Sequence, residues 1–283
     1  MQWRGRRGSG NIEDRRSMGA AGAGGIGVVG MLAVLAVGYF FGIDISPIVR
    51  ELDQSQQGQS GSVPLTQEDE QWGEFMSVVL ADTEEVWATV LPEQANMQYQ
   101  NPTLVLFRGA VQSACGTASS AMGPFYCPND QKLYLDTDFF DMMAQRMGAG
   151  GDFAYAYVIA HEVGHHVQNL TGTLQEVNNL RSRVSQSDSN KISVLTELQA
   201  DCYAGIWARQ AQERFGTLEE GDLAEAQGAA QAVGDDVIQS SAGRTPVPDS
   251  FTHGSAEQRQ EWLMRGFNSG DMAQCDTFGQ AGL

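Results

Sequence analysis

The pattern H-E-x-x-H, at His161, Glu162 and His165, constrains this chain more than any other feature. It lies in residues 154–170, AYAYVIAHEVGHHVQNL, where apolar residues recur at helical spacing. Residues four apart on an α-helix share a face, about 40° apart around the axis and roughly 6 Å apart along it. Both imidazoles can therefore reach one metal ion, with the Glu162 carboxylate beside them to take a proton from water. The alternative is a buried helix that matches the pattern by chance.

A catalytic metal site of this kind needs a third protein ligand. The candidate is Glu197, which is spaced i and i+4 with Asp201 on a predicted helix, so that the two carboxylates share a face. We predict that Glu197 binds the ion and that Asp201 accepts the free ring proton of a ligating histidine, which fixes its tautomer. Such a pair usually lies on a solvated face, but residues 194–207 are mainly apolar.

The four cysteines are Cys115, Cys127, Cys202 and Cys275, and none of them forms a C-x-x-C pair. Zinc binding by cysteine is therefore not expected. Four cysteines allow three connectivities, and we favour Cys115–Cys127, across a loop that contains Gly and Pro, with Cys202–Cys275. Two disulfides suit an exported domain, because an oxidising compartment permits them. Free buried thiols are the alternative.

Charge and hydropathy divide the chain unevenly. Residues 1–18 carry a net charge of +3, so the remainder carries −21 of the total −18. An acidic body repels phosphate backbones, and we expect no nucleic-acid partner. Residues 19–42 contain no charged residue and are long enough to span the hydrocarbon core. A cleaved signal peptide is the alternative, but the apolar run is too long and lacks a small-residue cleavage site.

The arginines ahead of this apolar stretch predict a cytoplasmic N-terminus by the positive-inside rule, and hence a body outside the membrane. The predicted location is the inner (cytoplasmic) membrane, single-pass, with the folded domain outside or in the periplasm. Gly38 and Gly42 form a G-x-x-x-G pattern that would let two such helices pack, so a homo-oligomer is possible without other support. The predicted parts are a cytoplasmic basic tail (1–18), a transmembrane signal anchor (19–42), a flexible Gln/Ser/Gly-rich linker (43–65) and a folded domain (66–283).

Within the folded domain, Thr66 offers a helix N-cap with Asp69 three residues later. Apolar residues then recur at three- and four-residue spacing, which predicts a helix of about six turns that stops near Pro92. Residues 103–107 and 132–136, TLVLF and KLYLD, predict two short strands.

Several segments together resemble a known family. The segments CGTASSAMGPFYC, KLYLD, AHEVGHHVQ, ELQADCYAGIWA and THGSAEQR, with the N-terminal apolar stretch and linker, are similar to the bacterial putative neutral zinc metallopeptidases over nearly all of residues 1–283. HEVGHH followed by ELQAD also resembles the gluzincin arrangement. The resemblance implies an α+β fold: a mainly helical zincin-like metallopeptidase domain with a small β-sheet, preceded by one transmembrane helix.

The resemblance also implies roles for the candidate residues. Zinc is expected at His161, His165 and Glu197, with Glu162 as general base and Asp201 supporting His161. A developing oxyanion needs a hydrogen-bond donor as well. His253, the one histidine outside the H-E-x-x-H helix, is the first candidate for this catalytic role, and Tyr155 and Tyr157 are weaker ones. His166 follows His165 directly but points about 100° away around the helix, so we do not expect it to bind the ion.

In zinc proteases with this helix, the edge strand ahead of it can pair with an extended peptide. We predict that residues 133–136 form that edge strand; an interior strand is the alternative. The implied function is a membrane-anchored, zinc-dependent endopeptidase whose partners are protein or peptide substrates. Two alternatives remain open: a non-catalytic binding or scaffold module stabilised by zinc, and a zinc amidase acting on cell-wall peptides.

Overall fold

The protein is described by a computed structural model that covers residues 1–17, 64–119 and 122–283. Over these residues the fold is mostly helical α+β with a small sheet. In chain order its strands and helices are β1 (Ile12–Asp14), α1 (Gln67–Ala95), β2 (Thr103–Phe107), β3 (Ala110–Ser113), β4 (Gly116–Ser119), β5 (Phe125–Cys127), β6 (Lys132–Asp136), α2 (Asp138–Arg146), α3 (Asp152–Leu170), α4 (Thr173–Arg181), α5 (Gln186–Phe215), α6 (Asp222–Ala232), α7 (Asp235–Ser241), α8 (Ala256–Ser269) and α9 (Thr277–Gln280), with 3-10 turns at Pro248–Ser250 and Met272–Cys275.

Helix α1 begins at the predicted cap. The Thr66 hydroxyl accepts from the Asp69 backbone N–H at 3.2 Å, and the Asp69 carboxylate accepts from the Thr66 N–H at 2.7 Å, which completes a capping box. The helix continues for 29 residues, past the predicted stop at Pro92. Its last turn is tied down by Gln94, whose side-chain amide bonds the backbone at Gly270 and Met272.

The main sheet has the strand order β1-β2-β6-β5, with parallel pairing except between β5 and β6. Strand β6 is therefore interior, and the prediction that residues 133–136 form an edge strand is wrong. Leu133 and Tyr134 are 1% and 2% exposed, because each strand face packs against the core as in a central strand. In the described sheet, β5 (Phe125–Cys127) is the edge strand next to β6.

Residues 1–17 pack against the folded domain. Strand β1 pairs with β2, with Ile12 opposite Leu104. Trp3 is buried on Phe75 of α1, with ring centroids 5.4 Å apart. The Met1 ammonium group donates to Asp152 Oδ1 at 2.6 Å, at the first residue of α3. The N-terminal residues thus supply one strand of the sheet rather than a separate tail.

The predicted membrane topology is corrected by these findings. In the parts of the chain that the structure describes, no helix combines the length and apolar character needed to cross a membrane. The anchor predicted at residues 19–42 lies outside those parts, as does nearly all of the linker predicted at 43–65. A fold class that includes a transmembrane helix and a single-pass inner-membrane location are therefore not supported.

Arg6 covers a buried carboxylate of α1. Its guanidinium donates to Asp82 Oδ2 at 2.5 Å, and the Asp82 side chain is 4% exposed. Burial raises the pKa of Asp82 to about 6, although the Arg6 charge opposes the rise. Folded Asp82 therefore binds a proton more tightly than in the unfolded chain, so the free energy of unfolding falls as the pH rises from about 4 to about 6.

Replacing Arg6 with Met is expected to lower the free energy of unfolding by roughly 2 kcal/mol at pH 7.5, and by less at pH 5. Without the guanidinium the folded-state pKa of Asp82 rises further, and at pH 5 the buried carboxylate is protonated. Urea unfolding at both pH values measures the difference. Arg7→Met is the control and should change little, because its pair with Glu85 is exposed. An equal loss at both pH values for Arg6→Met would contradict this account.

Candidate metal centre

Helix α3 carries the H-E-x-x-H pattern through the middle of the fold. It packs against α1, α5 and α6 and touches β5, and its residues are buried nearly all the way round. Its N-cap residue is Gly151, which has no side chain to accept a hydrogen bond from the backbone N–H groups of the first turn. Glu225 of α6 does so instead, accepting from the Phe153 backbone N–H at 3.1 Å.

Gly164 lets α3 lie directly against α5. A Cβ atom at this position would be 2.9 Å from the backbone oxygen of Ala200, a separation that real side chains do not adopt. Ala200 lies between Glu197 and Asp201 in the chain, so the close approach sets both carboxylates opposite the two histidines. The close contact between the two helices therefore requires a glycine inside the motif.

The three predicted ligands converge on one point. His161 Nε2 is 3.1 Å from Glu197 Oε2, and His165 Nε2 is 3.5 Å from Glu197 Oε1. One ligand atom from each residue lies within 4.8 Å of the others. Zinc with tetrahedral ligands at 2.0–2.2 Å would separate ligand atoms by roughly 3.3–3.6 Å. The spacing and the donor set therefore fit a zinc ion.

The negative charge around His161 also favours a bound cation. Its Nδ1 bonds Asp201 Oδ1 at 2.7 Å while its Nε2 faces Glu197. Burial lowers the pKa of His161, but the Asp201 charge and the hydrogen bonds from both carboxylates outweigh it and raise the pKa to about 10. The site thus stabilises positive charge between two carboxylates. A divalent cation at Nε2 would supply that charge in place of a proton.

Asp201 is held from three sides and has no exposed surface. The Arg259 guanidinium donates hydrogen bonds to both Asp201 oxygens, at 2.8 and 2.9 Å, and the Tyr157 hydroxyl donates to Oδ1 at 2.6 Å. Burial raises the pKa of Asp201, but the charges of Arg259 and His161 outweigh it and lower the pKa to about 2. Asp201 therefore stays ionised beneath His161, which favours the Nδ1–H tautomer of that ring.

Arg259 belongs to none of the motifs in the sequence, although its position carries a signal. The buried residues of α8 are Ala256, Arg259, Trp262, Leu263 and Gly266, so a charged residue lies within an apolar stripe. What Arg259 contacts depends on how closely α8 meets α5. A Cβ at Gly266 would lie 1.9 Å from the Cys202 backbone oxygen, so this crossing also requires glycine.

Glu162 is buried beside the ligand cluster and lines the same cleft. Burial raises its pKa, and the charges of His165 and His161 oppose the rise. A carboxylate whose pKa lies closer to neutral both accepts and releases a proton more readily in that range. Its position and environment suit a general base.

A cleft of about 740 Å³ opens over these residues, and the edge strand β5 forms part of its wall. Tyr126 of β5 donates its hydroxyl hydrogen to His166 Nδ1 at 2.9 Å. The ring is oriented by its Nε2, which donates to the Gln100 carbonyl at 2.6 Å. His166 therefore fastens β5 to α3 and lies outside the ligand cluster. Away from the charged groups the cleft is largely apolar, with Met122, Pro124, Phe125, Phe139, Met142, Met147, Val158, Leu174, Val233 and Ile238.

His253 lies at the same cleft with its side chain half exposed. Its Nδ1 is 3.1 Å from Asp235 Oδ1, and the bond to Asp235 raises the pKa of His253. The other Asp235 oxygen accepts the backbone N–H of His253 at 2.6 Å, which holds the loop. Of the weaker candidates, Tyr157 donates to Asp201 and Tyr155 stacks on Phe140. Asp235 belongs to no sequence pattern that would have identified it.

Both predicted disulfides are present, which confirms the favoured connectivity. Cys115–Cys127 joins the loop between β3 and β4 to β5. Cys202–Cys275 joins α5, one residue beyond Asp201, to the 3-10 turn near the C-terminus.

An H-E-x-x-H helix that faces a carboxylate from a second helix is the arrangement of a zinc metalloprotease site. The family model described as "Putative neutral zinc metallopeptidase" matches residues 1–278, and the chain belongs to this family. The description of this family names zinc as the metal and a peptidase as the class of enzyme.

Relatives from two bacteria show how far the similarity extends. "Uncharacterized protein YpfJ" of Escherichia coli (strain K12) is 46% identical over 291 residues, which cover 99% of this chain and 100% of YpfJ. "Uncharacterized protein Rv2575" of Mycobacterium tuberculosis (strain ATCC 25618 / H37Rv) is 46% identical over 208 residues, covering 70% of this chain and 68% of that protein. No solved structure gives a significant match.

Proposed function

We propose that this protein is a zinc-dependent endopeptidase. The observation that carries the proposal is the convergence of His161, His165 and Glu197 from two helices, with Glu162 buried beside them. The three converging side chains would hold the ion, and Asp201 would support His161. A zinc ion held there would supply Lewis-acid polarisation of the carbonyl of a peptide bond.

Glu162 would move the protons of the reaction. It takes a proton from the water that attacks the carbonyl carbon, and then gives that proton to the nitrogen of the leaving amine as the C–N bond breaks. Its buried setting, which raises its pKa, supports both steps. Such acid–base assistance contributes typically about 10²–10⁴-fold to a rate.

His253 would stabilise the oxyanion that develops on the carbonyl oxygen. Asp235 holds the ring through Nδ1 and also the backbone of the same residue, so the other ring nitrogen would be the donor to the oxyanion. The hydrogen bond to Asp235 favours the protonated ring, which is a stronger donor.

The substrate would be an extended protein or peptide segment. Strand β5 ends the described sheet and lies on the cleft wall, where its outer edge can pair with a peptide backbone. The Tyr126–His166 bond keeps this strand at a constant distance from the metal-binding helix. The apolar lining of the cleft accepts uncharged side chains on either side of the scissile bond.

Glu162→Gln tests the proposal. The purified chain with one equivalent of zinc is expected to cleave an unstructured protein substrate, and the variant to have a kcat lower by about 10²–10⁴-fold. Zinc content and affinity should stay within a few-fold of wild type, because this substitution leaves the three ligands in place. Cleavage products followed by mass spectrometry report the activity.

The non-catalytic alternative gives a different result. If zinc only stabilised a binding or scaffold module, wild type and Glu162→Gln would be equally inactive on every peptide, while both would gain thermal stability from zinc. That outcome would refute the endopeptidase proposal and leave the metal site standing.

A further inference from the structure

His161 and His165 are supported by different chemistry. Beneath His161 lies the charged pair of Asp201 and Arg259. His165 Nδ1 instead bonds a neutral amide oxygen, Gln168 Oε1, at 2.8 Å. Gln168 is fully buried, one helical turn beyond His165 on α3.

The orientation of the Gln168 amide is set by a group that cannot reverse its role. Its Nε2 lies 2.7 Å from the backbone oxygen of Thr196, which only accepts hydrogen bonds. The same Nε2 donates to Gln199 Oε1 at 3.0 Å, and Gln199 Nε2 donates in turn to the Cys275 backbone oxygen at 3.1 Å. A reversed Gln168 amide would set its oxygen against two acceptors in a buried space, at a cost for each unpaired group.

A direct consequence follows for His165. Since Gln168 must present its oxygen to the ring, Nδ1 must carry the proton, and the lone pair is then on Nε2. His165 Nε2 is the atom that faces Glu197. Thr196 also precedes Glu197 in the chain, so the same amide ties His165 to the turn of α5 that carries the third ligand.

From this geometry we infer that Gln168 is a positioning residue of the metal site: it fixes His165 in the Nδ1–H tautomer and holds the two ligand helices in register, with Gln199 orienting it. The inference rests on the metal site proposed above and is independent of the reaction performed there. Supports of this kind typically change metal affinity by about 10–100-fold when removed.

Gln168→Met removes the acceptor and both donors while keeping the side-chain length. The zinc dissociation constant, measured by competition with a chromogenic chelator, is expected to rise by about 10–100-fold. Gln199→Met should raise it by a smaller factor, because Gln168 keeps its bond to the Thr196 oxygen. Gln239→Met is the matched control. The Gln239 amide donates to the Ser250 hydroxyl and accepts from the Val247 backbone N–H, but it touches no proposed ligand. The zinc affinity of the Gln239→Met variant should stay within about twofold of wild type.

A measurement on the wild type keeps the inference testable even if Gln168→Met does not fold. In the zinc-loaded protein labelled with ¹⁵N-histidine, long-range ¹H–¹⁵N spectra should show His165 protonated at Nδ1. A proton on Nε2 would overturn the inference, and so would an unchanged dissociation constant in a folded Gln168→Met variant. If the wild type itself fails to bind zinc, the proposed metal site falls; if it binds and the variant binds equally, only the role of Gln168 falls.

Discussion

Replacing Asp201 with Ala is expected to lower the free energy of unfolding by about 3–5 kcal/mol, because the buried Arg259 guanidinium would lose its countercharge. Arg259 is 4% exposed and bonds both Asp201 oxygens, so its guanidinium has little contact with bulk solvent. The zinc dissociation constant should rise by about 10–100-fold, because His161 loses the acceptor for its Nδ1 proton. Urea unfolding of the metal-free chain and chelator competition measure the two effects.

A double variant separates these effects. Asp201→Leu with Arg259→Met removes both buried charges and should recover much of the stability, since apolar replacement of a buried ion pair is often neutral or better. It should not recover zinc affinity, because the ring of His161 still lacks its acceptor. Zinc affinity that follows stability in both variants would show that Asp201 acts on the fold alone.

Removal of the Cys202–Cys275 disulfide by alanine substitution of both residues is expected to cost about 4 kcal/mol, since it opens a long loop in the unfolded chain. The bridge spans 73 residues and holds the Cys275 backbone oxygen where Gln199 donates to it. We therefore expect weaker zinc binding as well. Thermal unfolding and chelator competition on the same samples test both parts.

The other disulfide provides the matched control. Cys115–Cys127 closes a loop of 12 residues, and its removal is expected to cost about 3 kcal/mol. It fastens β5 rather than the ligand helices, so zinc affinity should stay within about twofold of wild type. Equal losses of zinc affinity for both pairs would mean that loss of stability, and not the Cys275 segment, governs metal binding.

Sequence reasoning reached the features that depend on local spacing. Thr66 and Asp69 predicted a cap, the histidines four apart predicted a shared helix face, and Glu197 and Asp201 predicted a second face of the same kind. These inferences hold because helical geometry relates residues three and four apart whatever surrounds them. The two disulfides were the favoured one of three possible connectivities, and the structure contains them.

Long-range features escaped the same reasoning. The central place of β6, the packing of residues 1–17 into the domain and the role of Arg259 each depend on contacts between segments far apart in the chain. The apolar run at residues 19–42 predicted a membrane crossing from composition alone, which takes no account of where the residues before it pack. Strand β1 pairs with β2, and no spacing rule in the sequence relates those two segments.

The sequence by itself determined that an H-E-x-x-H helix and a carboxylate-bearing helix exist, because both are patterns of period 3.6 within one segment. Only the tertiary structure decided that these faces meet. They do so because Gly164 lies against the Ala200 backbone and Gly266 against the Cys202 backbone, so that three helices approach closely enough for buried side chains to bond. The supports of each histidine, Asp201 with Arg259 and Gln168 with Gln199, are products of that approach, since buried polar atoms must find hydrogen-bond partners within the protein.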